Sequence, residues 1–432
     1  MTITPQFKRF LERPGPWSEE EASVDQANQT VSFLKTARVL VIGAGGLGCE
    51  ILKNLLMAGV QNVDVIDMDT VDVSNLNRQF LFRPSDIGRP KAVAAAEFLQ
   101  RRASMNPTDK STWTITPHYC RIQEKDEAFY ASFHLVICGL DSVEARRWIN
   151  GMLVGLVDPA DPESIKPLID GGTEGFKGQA RVIIPTISSC YECSLDILTP
   201  QRTYPICTLA NTPRLPEHCI EWASLMQWPL LRPDSPMDKD DPDHQAWVYH
   251  QALARAQEFG ISGVTLSLTQ GVIKNIIPAI ASTNAIISAA CTIEALKLLT
   301  STAPYLDNYM LYTGDQGVYT YTFQHQQKED CPICGPDGAT RDASIDPAWT
   351  LEDWMDHLKQ DPQIQLQKPS LRVEGRNLYM QAPPFLEEVT RPNLYKTMSQ
   401  LVQEGEEVIV TDTRLPIHLT LRVHFRTKGS DA

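Results

Sequence analysis

One stretch, residues 39–91, constrains the chain more than any other. Val39-Leu40-Val41-Ile42 is an apolar run of a buried strand, and Gly43-Ala44-Gly45-Gly46-Leu47-Gly48 follows it directly. Leu47, Ile51, Leu52, Leu55 and Leu56 then recur at helical spacing. Strand, glycine turn and helix in this order form a phosphate cradle. Glycine lets the backbone come close to a phosphate, and a helix N-terminus supplies free N–H groups and a positive dipole end. A second apolar run, Val63-Asp64-Val65-Ile66, ends at Asp67, where a carboxylate can accept from a ribose hydroxyl. To this point a dinucleotide enzyme fits as well as an ATP enzyme. The residues that follow favour ATP: Asn75-Leu76-Asn77-Arg78-Gln79, then Arg89-Pro90-Lys91. Fixed polar and cationic groups beside a ribose-reading Asp suit a triphosphate. Asp141, after the strand-like His134–Cys138 and Gly139-Leu140, stands where ligands bind in open parallel sheets and can hold Mg²⁺.

The chain has 432 residues, which implies two to three domains, and its hydrophobic content of 42% supplies sizeable cores. A net charge of −14 speaks against non-specific nucleic-acid binding. Met1 to Phe10 is polar, without a signal-peptide core. The apolar stretch Ile276–Leu299 is broken by Ser282, Thr283, Asn284, Ser288, Thr292, Glu294 and Lys297, so no membrane span is expected. The expectation is a soluble intracellular protein, cytoplasmic, nuclear or both, with reduced thiols.

Five segments follow in order. Residues 1–35 are a polar lead. Residues 36–207 alternate strand and helix, and end in a proline-bearing loop. Residues 208–280 carry Trp222, Trp228 and Trp247 and read as a mostly helical insertion. Residues 281–346 return to the first core and run out through a Gly/Asp/Ala linker from Gly335 to Asp346. Residues 347–432 read as a small separate α+β module.

Cys190/Cys193 and Cys331/Cys334 form two CxxC pairs, the usual thiolate set of a closed tetrahedral zinc site. Redox pairs and buried core cysteines are the competing readings. Cys207, in Tyr204-Pro205-Ile206-Cys207-Thr208, lies outside both pairs and is the candidate nucleophile, since a thiolate is both a good acyl acceptor and a good leaving group. A lone cysteine is more often a small buried hydrophobe, the reading given to Cys49, Cys120, Cys138, Cys219 and Cys291.

Taken together, Gly43–Gly48, Asp67-Met68-Asp69, Asn75–Gln79, Asp86–Lys91 and Gly139–Ser142 resemble the ubiquitin-activating enzyme family. Pro205–Trp222 resembles the catalytic subunits that activate a Rub-type modifier in neddylation, and the similarity runs from about residue 35 to the C-terminus.

The resemblance implies a Rossmann-like α/β adenylation domain, an inserted helical catalytic-cysteine domain and a C-terminal ubiquitin-fold (β-grasp) domain. ATP, Mg²⁺ and structural Zn²⁺ are the implied cofactors. Gly43, Ala44, Gly45, Gly46, Asp67, Asp69, Asn75, Arg78, Gln79, Lys91, Leu140 and Asp141 would line the nucleotide, with Asn75, Arg78 and Lys91 catalytic and Asp141 on Mg²⁺. Cys207 would take the modifier as a thioester, and Cys190, Cys193, Cys331 and Cys334 would hold zinc. Arg181 matches the position that screens the modifier's tail by like-charge repulsion. The partners implied are a regulatory adenylation-like subunit, the modifier and its conjugating enzyme. A SUMO-activating subunit, a sulfur-carrier adenylyltransferase and an NAD dehydrogenase are the rival readings. The short N-terminal lead implies a reduced or missing docking arm for the conjugating enzyme.

Overall fold

The structure is a computed structural model. It describes residues 24–104, 113–197, 206–233, 235, 237–238, 241–273, 279–302, 305–335, 340–361, 364, 366–413, 415 and 418–426. The side chains of residues 24–27, 196–197, 206–208 and 418 are outside this description. Most of the N-terminal lead falls outside it as well.

The chain divides into two compact units, Met1–Ile197 with Ala279–Ala432, and Leu198–Pro278. The first unit contains two sheets. Its larger sheet has eight strands in the order β3-β2-β1-β4-β5-β6-β7-β8. These are β1 (Arg38–Ile42), β2 (Asn62–Ile66), β3 (Thr114–His118), β4 (Leu135–Cys138), β5 (Leu168–Glu174), β6 (Lys177–Ile183), β7 (Tyr309–Thr313) and β8 (Tyr319–Phe323). β1 to β5 pair in parallel, and β6 to β8 add antiparallel. Chain order reverses around β1, which lies between β2 and β4, so a crevice opens at the carboxyl end of β1.

Helix α1 (Val24–Thr36) leads into β1, and α2 (Gly46–Ala58) returns from it. α2 buries Leu47, Ile51, Leu52, Leu55 and Leu56 against Val39, Val41, Val63 and Val65, the helical and strand periodicities meeting on one core. It ends at Gly59 (φ 97°), whose N–H donates to the Leu55 and Leu56 carbonyls. α3 (Lys91–Ser104) presents an alanine face, Ala92, Ala95, Ala96 and Ala103, to the same core. α4 (Val143–Gly155) follows β4, and its N-cap Ser142 hydroxyl accepts from Ala145 N at 3.2 Å.

The second unit, residues 198–278, is helical. It comprises α5 (Ile206–Asn211), α6 (Pro216–Trp222), α7 (Pro242–Glu258) and α8 (Leu266–Ile273), with an irregular helical stretch through Leu231 between α6 and α7. Cys219, Ile220, Ala223, Trp228, Val248, Ala252 and Ala256 form its core. The chain then re-enters the first unit through α9 (Ala281–Thr300), which packs Ile287, Cys291, Ala295 and Leu299 into the core shared with α2.

The smaller sheet of the first unit has the order β11-β10-β12-β13-β9. Its strands are β9 (Thr340–Ile345), β10 (Pro369–Val373), β11 (Arg376–Tyr379), β12 (Glu407–Asp412) and β13 (His418–Phe425). α10 (Leu351–Gln360) buries Leu351, Trp354, Met355 and Leu358 on it. One expectation is corrected here. The stretch read as linker up to Asp346 contains β9, which pairs in parallel with β13. Its composition is that of a linker, but the register Thr340↔Thr420 to Ile345↔Phe425 satisfies its backbone. A 3₁₀ turn, Arg391–Tyr395, and a short helix, Met398–Leu401, precede β12.

Candidate adenylation site and four-thiol cluster

The glycine turn sits where three parallel strands end. Gly43 N donates to the Ile66 carbonyl at 2.8 Å, and Gly139 N donates to the Ile42 carbonyl at 2.9 Å. The cradle has no room for side chains at two of its glycines. A Cβ on Gly48 would lie 1.8 Å from the Gly43 carbonyl oxygen, and one on Gly46 would lie 2.3 Å from Asn284 Nδ2. Gly43 also has φ +93°, open to glycine at no steric cost.

Asp67 closes the turn from β2. Its Oδ2 accepts from Ala44 N at 2.6 Å and its Oδ1 from Asp69 N at 2.8 Å. Burial raises the Asp67 carboxyl above the ordinary aspartate value, opposed by Lys91 and by the Ala44 and Asp69 amides. Lys91, at the first turn of α3, reaches Asp69 Oδ2 at 2.9 Å and is itself buried. A bridge between Thr70 and Pro90 and the bond from Lys91 N to the Asp69 carbonyl hold this cation against β2.

Asn75 is buried and structural in its visible bonds: its Oδ1 accepts from Asp72 N at 3.0 Å, and its carbonyl accepts from Arg78 N and Gln79 N. That short turn aims Gln79 inward. Gln79 is 3% exposed, and its Oε1 is buried with no partner among the described residues. A Cβ on Gly45 would meet the Gln79 amide at 4.0 Å, so the unfilled acceptor stands beside the glycine turn. Arg78 is half-buried and donates to the Ser74 carbonyl at 2.9 Å. Leu140 and Asp141 follow Gly139, and the Asp141 carboxylate is exposed at the carboxyl end of β4.

The structure therefore brings Gly43 to Gly46, Asp67, Asp69, Asn75, Gln79 and Lys91 to one end of the sheet. The glycine cradle and the orphaned Gln79 acceptor fit a bound nucleotide. Two participants escaped the sequence reading. Asn284, 2% exposed on α9, accepts from Thr173 Oγ1 at 2.7 Å and lies against Gly46. Its signal was present as a polar break in an apolar run. Arg146 is the second: its guanidinium donates to the Leu140 and Gly171 carbonyls and to Asp170 Oδ1, bracing the loop that carries Asp141.

Arg181 is not a surface residue. It sits on β6 between β5 and β7 and is 3% exposed. Its Nε donates to Asp170 Oδ2 at 3.1 Å, its Nη1 to Ser194 Oγ, and its guanidinium lies 4.4 Å from the Tyr191 ring centroid. Nη2 is buried without an acceptor among the described residues. Asp170 thus faces two guanidiniums, and the cluster keeps a net positive charge.

Cys190, Cys193, Cys331 and Cys334 converge from segments 141 residues apart. Their sulfurs lie within 4.8 Å of one another, with Cys190–Cys331 at 3.5 Å, Cys193–Cys334 at 3.4 Å and Cys190–Cys193 at 3.8 Å. Four thiolates at ~2.3 Å from one tetrahedral zinc stand about 3.8 Å apart, so the buried cluster is compatible with that ion. Lys328 N also points at Cys193 Sγ, 3.5 Å away, as a backbone donor to a thiolate does. Of the other described thiols, Cys49, Cys138, Cys219 and Cys291 are buried in the core, while Cys120, expected there too, is half-buried. Burial pushes the Cys49 thiol up to about 12 and raises the Cys138 and Cys291 thiols as well.

Cys207 lies on α5, in the unit formed by residues 198–278, with its side chain outside the described residues.

Among the described residues no helix is long and apolar enough to cross a membrane. A ThiF family model matches residues 22–333, and an E2 binding domain model matches residues 344–425. The chain is 52% identical over 434 residues to the NEDD8-activating enzyme E1 catalytic subunit of Dictyostelium discoideum, covering 97% of this chain and 96% of that one. It is 46% identical to the subunit so named in Drosophila melanogaster, covering 98% and 96%, and 45% identical to that of Schizosaccharomyces pombe, covering 96% and 95%. With a glycine cradle closed by Asp67 and a match along nearly its whole length, the chain belongs to the ThiF family and, within it, to the NEDD8-activating enzyme E1 catalytic subunits.

Proposed function

We propose that this chain activates a NEDD8-type (Rub-type) modifier in three steps. The modifier's C-terminal carboxylate oxygen attacks the α-phosphorus of ATP, the bond to the bridging oxygen breaks, and pyrophosphate leaves. The Cys207 thiolate then attacks the acyl carbon of the adenylate and AMP leaves. The thioester finally exchanges onto the cysteine of a conjugating enzyme recruited by residues 344–425, and the Cys207 thiolate is released.

The observation that carries the first step is the cradle at the end of β1. Gly46 and Gly48 admit no side chain, Asp67 fixes the turn through Ala44 N, and the buried Lys91 cation stands beside it. Asp67 reads the ribose, with Asp69 setting the Lys91 ammonium. Lys91 and Arg78 offset charge that builds on the departing pyrophosphate, and Asn75 holds the turn that presents Arg78 and Gln79. Asp141, exposed after the carboxyl end of β4, would hold Mg²⁺, which would offset phosphate charge. Cys190, Cys193, Cys331 and Cys334 would hold zinc through four sulfurs with no position left open, so the ion would close structure and take no part in the chemistry.

Arg181 favours a modifier tail without arginine, because the Arg146–Asp170–Arg181 cluster keeps one positive charge unmatched. A regulatory adenylation-like subunit is the partner of this chain and supplies an arginine to the ATP site. The setting is intracellular, cytoplasmic or nuclear, where the thiols stay reduced.

The test incubates the chain and its regulatory subunit with ATP, Mg²⁺ and purified modifiers. Expected are modifier-dependent ATP–pyrophosphate exchange and a thiol-sensitive adduct on a non-reducing gel. Absence of exchange, or an adduct that persists in Cys207→Ala, would overturn the reading. An adduct with ubiquitin but not with NEDD8 would overturn the specificity, and Arg181→Gln is expected to let ubiquitin in.

A further inference from the structure

Helix α5, which carries Cys207, has six residues, too few for a helix to persist by itself in water. Among its described side chains only Leu209 is buried. What else holds it is Arg255. This residue lies in the last turn of α7 and is 8% exposed. Its Nη2 donates to the Leu209 carbonyl at 2.9 Å and also to the Ala210 carbonyl. These are C-terminal carbonyls of α5, the end at which helix dipoles gather negative charge. The guanidinium lies 4.0 Å from the Trp222 ring centroid on α6 and 4.9 Å from that of Phe259.

No carboxylate among the described residues pairs with Arg255. A buried cation without an anion is costly, and an apolar side chain of similar volume would fill such a site at lower cost. Here the charge is directed at the backbone of one short helix. One amino group, Nη2, meets both carbonyls while the planar guanidinium rests against aromatic rings, a stacking that lysine lacks.

We propose that Arg255 is a positioning residue for Cys207: it clamps the C-terminal carbonyls of α5 to the aromatic wall formed by Trp222 and Phe259, and so fixes the helix that presents the thiol. This rests on Cys207 being the nucleophile. Arg255 touches neither the modifier nor ATP; it acts by restricting where the Cys207 backbone can go, and a nucleophile held loosely loses rate steeply. The residues on which it acts all belong to the unit formed by residues 198–278.

The experiment compares Arg255→Ala, Arg255→Lys and Cys207→Ala with the wild type, each as the full chain with its regulatory subunit. Three quantities are read: the single-turnover rate of thioester formation from ATP, Mg²⁺ and modifier; modifier-dependent ATP–pyrophosphate exchange; and iodoacetamide alkylation of Cys207 against pH, located by peptide mapping.

Arg255→Ala is expected to slow thioester formation by about tenfold or more, to leave exchange at the wild-type rate, and to shift the alkylation profile of Cys207. Arg255→Lys, which keeps the charge and the N–H donors but not the planar faces on Trp222 and Phe259, should recover part of the rate. Wild-type thioester formation in Arg255→Ala, with none in Cys207→Ala, would overturn the positioning role and leave the nucleophile standing. An adduct in Cys207→Ala would overturn the nucleophile itself. Equal loss of exchange and thioester would show a structural role only and also overturn the inference. Should Arg255→Ala not fold, Arg255→Gln decides by the same readouts.

Discussion

Lys91 shows what a single residue contributes. It is a buried cation whose one direct ion-pair partner among the described residues, Asp69, is 54% exposed at the side chain, while the Asp67 carboxylate acts on it from farther off. An ammonium removed from water and matched by one wet carboxylate is suited to receive further negative charge. Lys91→Ala is therefore expected to reduce modifier-dependent ATP–pyrophosphate exchange by roughly 10²-fold, the usual loss when one oxyanion partner is removed. The fold should be retained, as circular dichroism would check. Cys193→Ser makes a second prediction at this scale. One of four sulfurs in a buried cluster is replaced by a weaker ligand, so zinc measured by mass spectrometry should fall from one equivalent towards none, with a lower melting temperature. Both residues were legible in the sequence, because strand ends and CxxC spacing are local signals. Asn284, Arg146 and Arg255 were not. Their partners lie far away in the chain, Thr173 at 111 residues, Asp170 at 24 and Leu209 at 46; Asn284 alone left a local trace, a polar break in an apolar run, which did not name its partner.

At the scale of elements, the strand–turn–helix from β1 to α2 tolerates change very unevenly. A Cβ on Gly48 would fall 1.8 Å from the backbone of Gly43, whereas one on Gly45 finds only a flexible amide at 4.0 Å. Gly48→Ala is expected to cost about 1–3 kcal/mol in urea unfolding, with backbone displaced in the turn, and Gly45→Ala to cost far less. The β9–β13 pairing carries a pH prediction. His424 on β13 bonds through Nδ1 to Glu404 at 3.0 Å and through Nε2 to Asp342 on β9 at 3.1 Å. These two carboxylates raise the imidazole above its ordinary value, Glu404 first. A raised folded-state value stabilises the protonated form. The fastening is complete below about pH 6.5, the unfolded value, and is lost as pH rises through the folded one. Amide exchange in β9, corrected for the intrinsic rate, should increase across that range in the wild type and stay flat in His424→Gln. β1, β2 and β4 were legible as apolar runs, whereas β3, Thr114–His118, was not, and the order β3-β2-β1-β4 shows only in the structure. β9 was not legible either, because a strand whose side chains are mostly polar or small shows itself only through its partner.

For the whole molecule, the central fact of the first unit is that three of its parts meet at one buried ion pair. Arg147 on α4 bonds both carboxylate oxygens of Glu192, which lies between Cys190 and Cys193, and donates to the Ile364 carbonyl of the E2-binding region. Burial raises the Glu192 carboxyl and Arg147 opposes this, so removing the arginine leaves an unpaired buried acid. Arg147→Ala is expected to destabilise by about 3–5 kcal/mol, and differential scanning calorimetry should resolve the melting of residues 340–426 from that of the large sheet. This junction was invisible in the sequence, where Glu192 is simply a spacer within CxxC. The four-thiol cluster beside it has a consequence for how the gene can vary. It staples chain 141 residues apart, and the span it encloses contains the entire unit 198–278. Loop-closure entropy grows only with the logarithm of length, about 0.6 kcal/mol per doubling. The clasp therefore makes the enclosed span almost free to lengthen or shorten. Evolution can rebuild the thiol-bearing module wholesale, and during synthesis that module leaves the ribosome before the second pair of cysteines arrives to lock its ends.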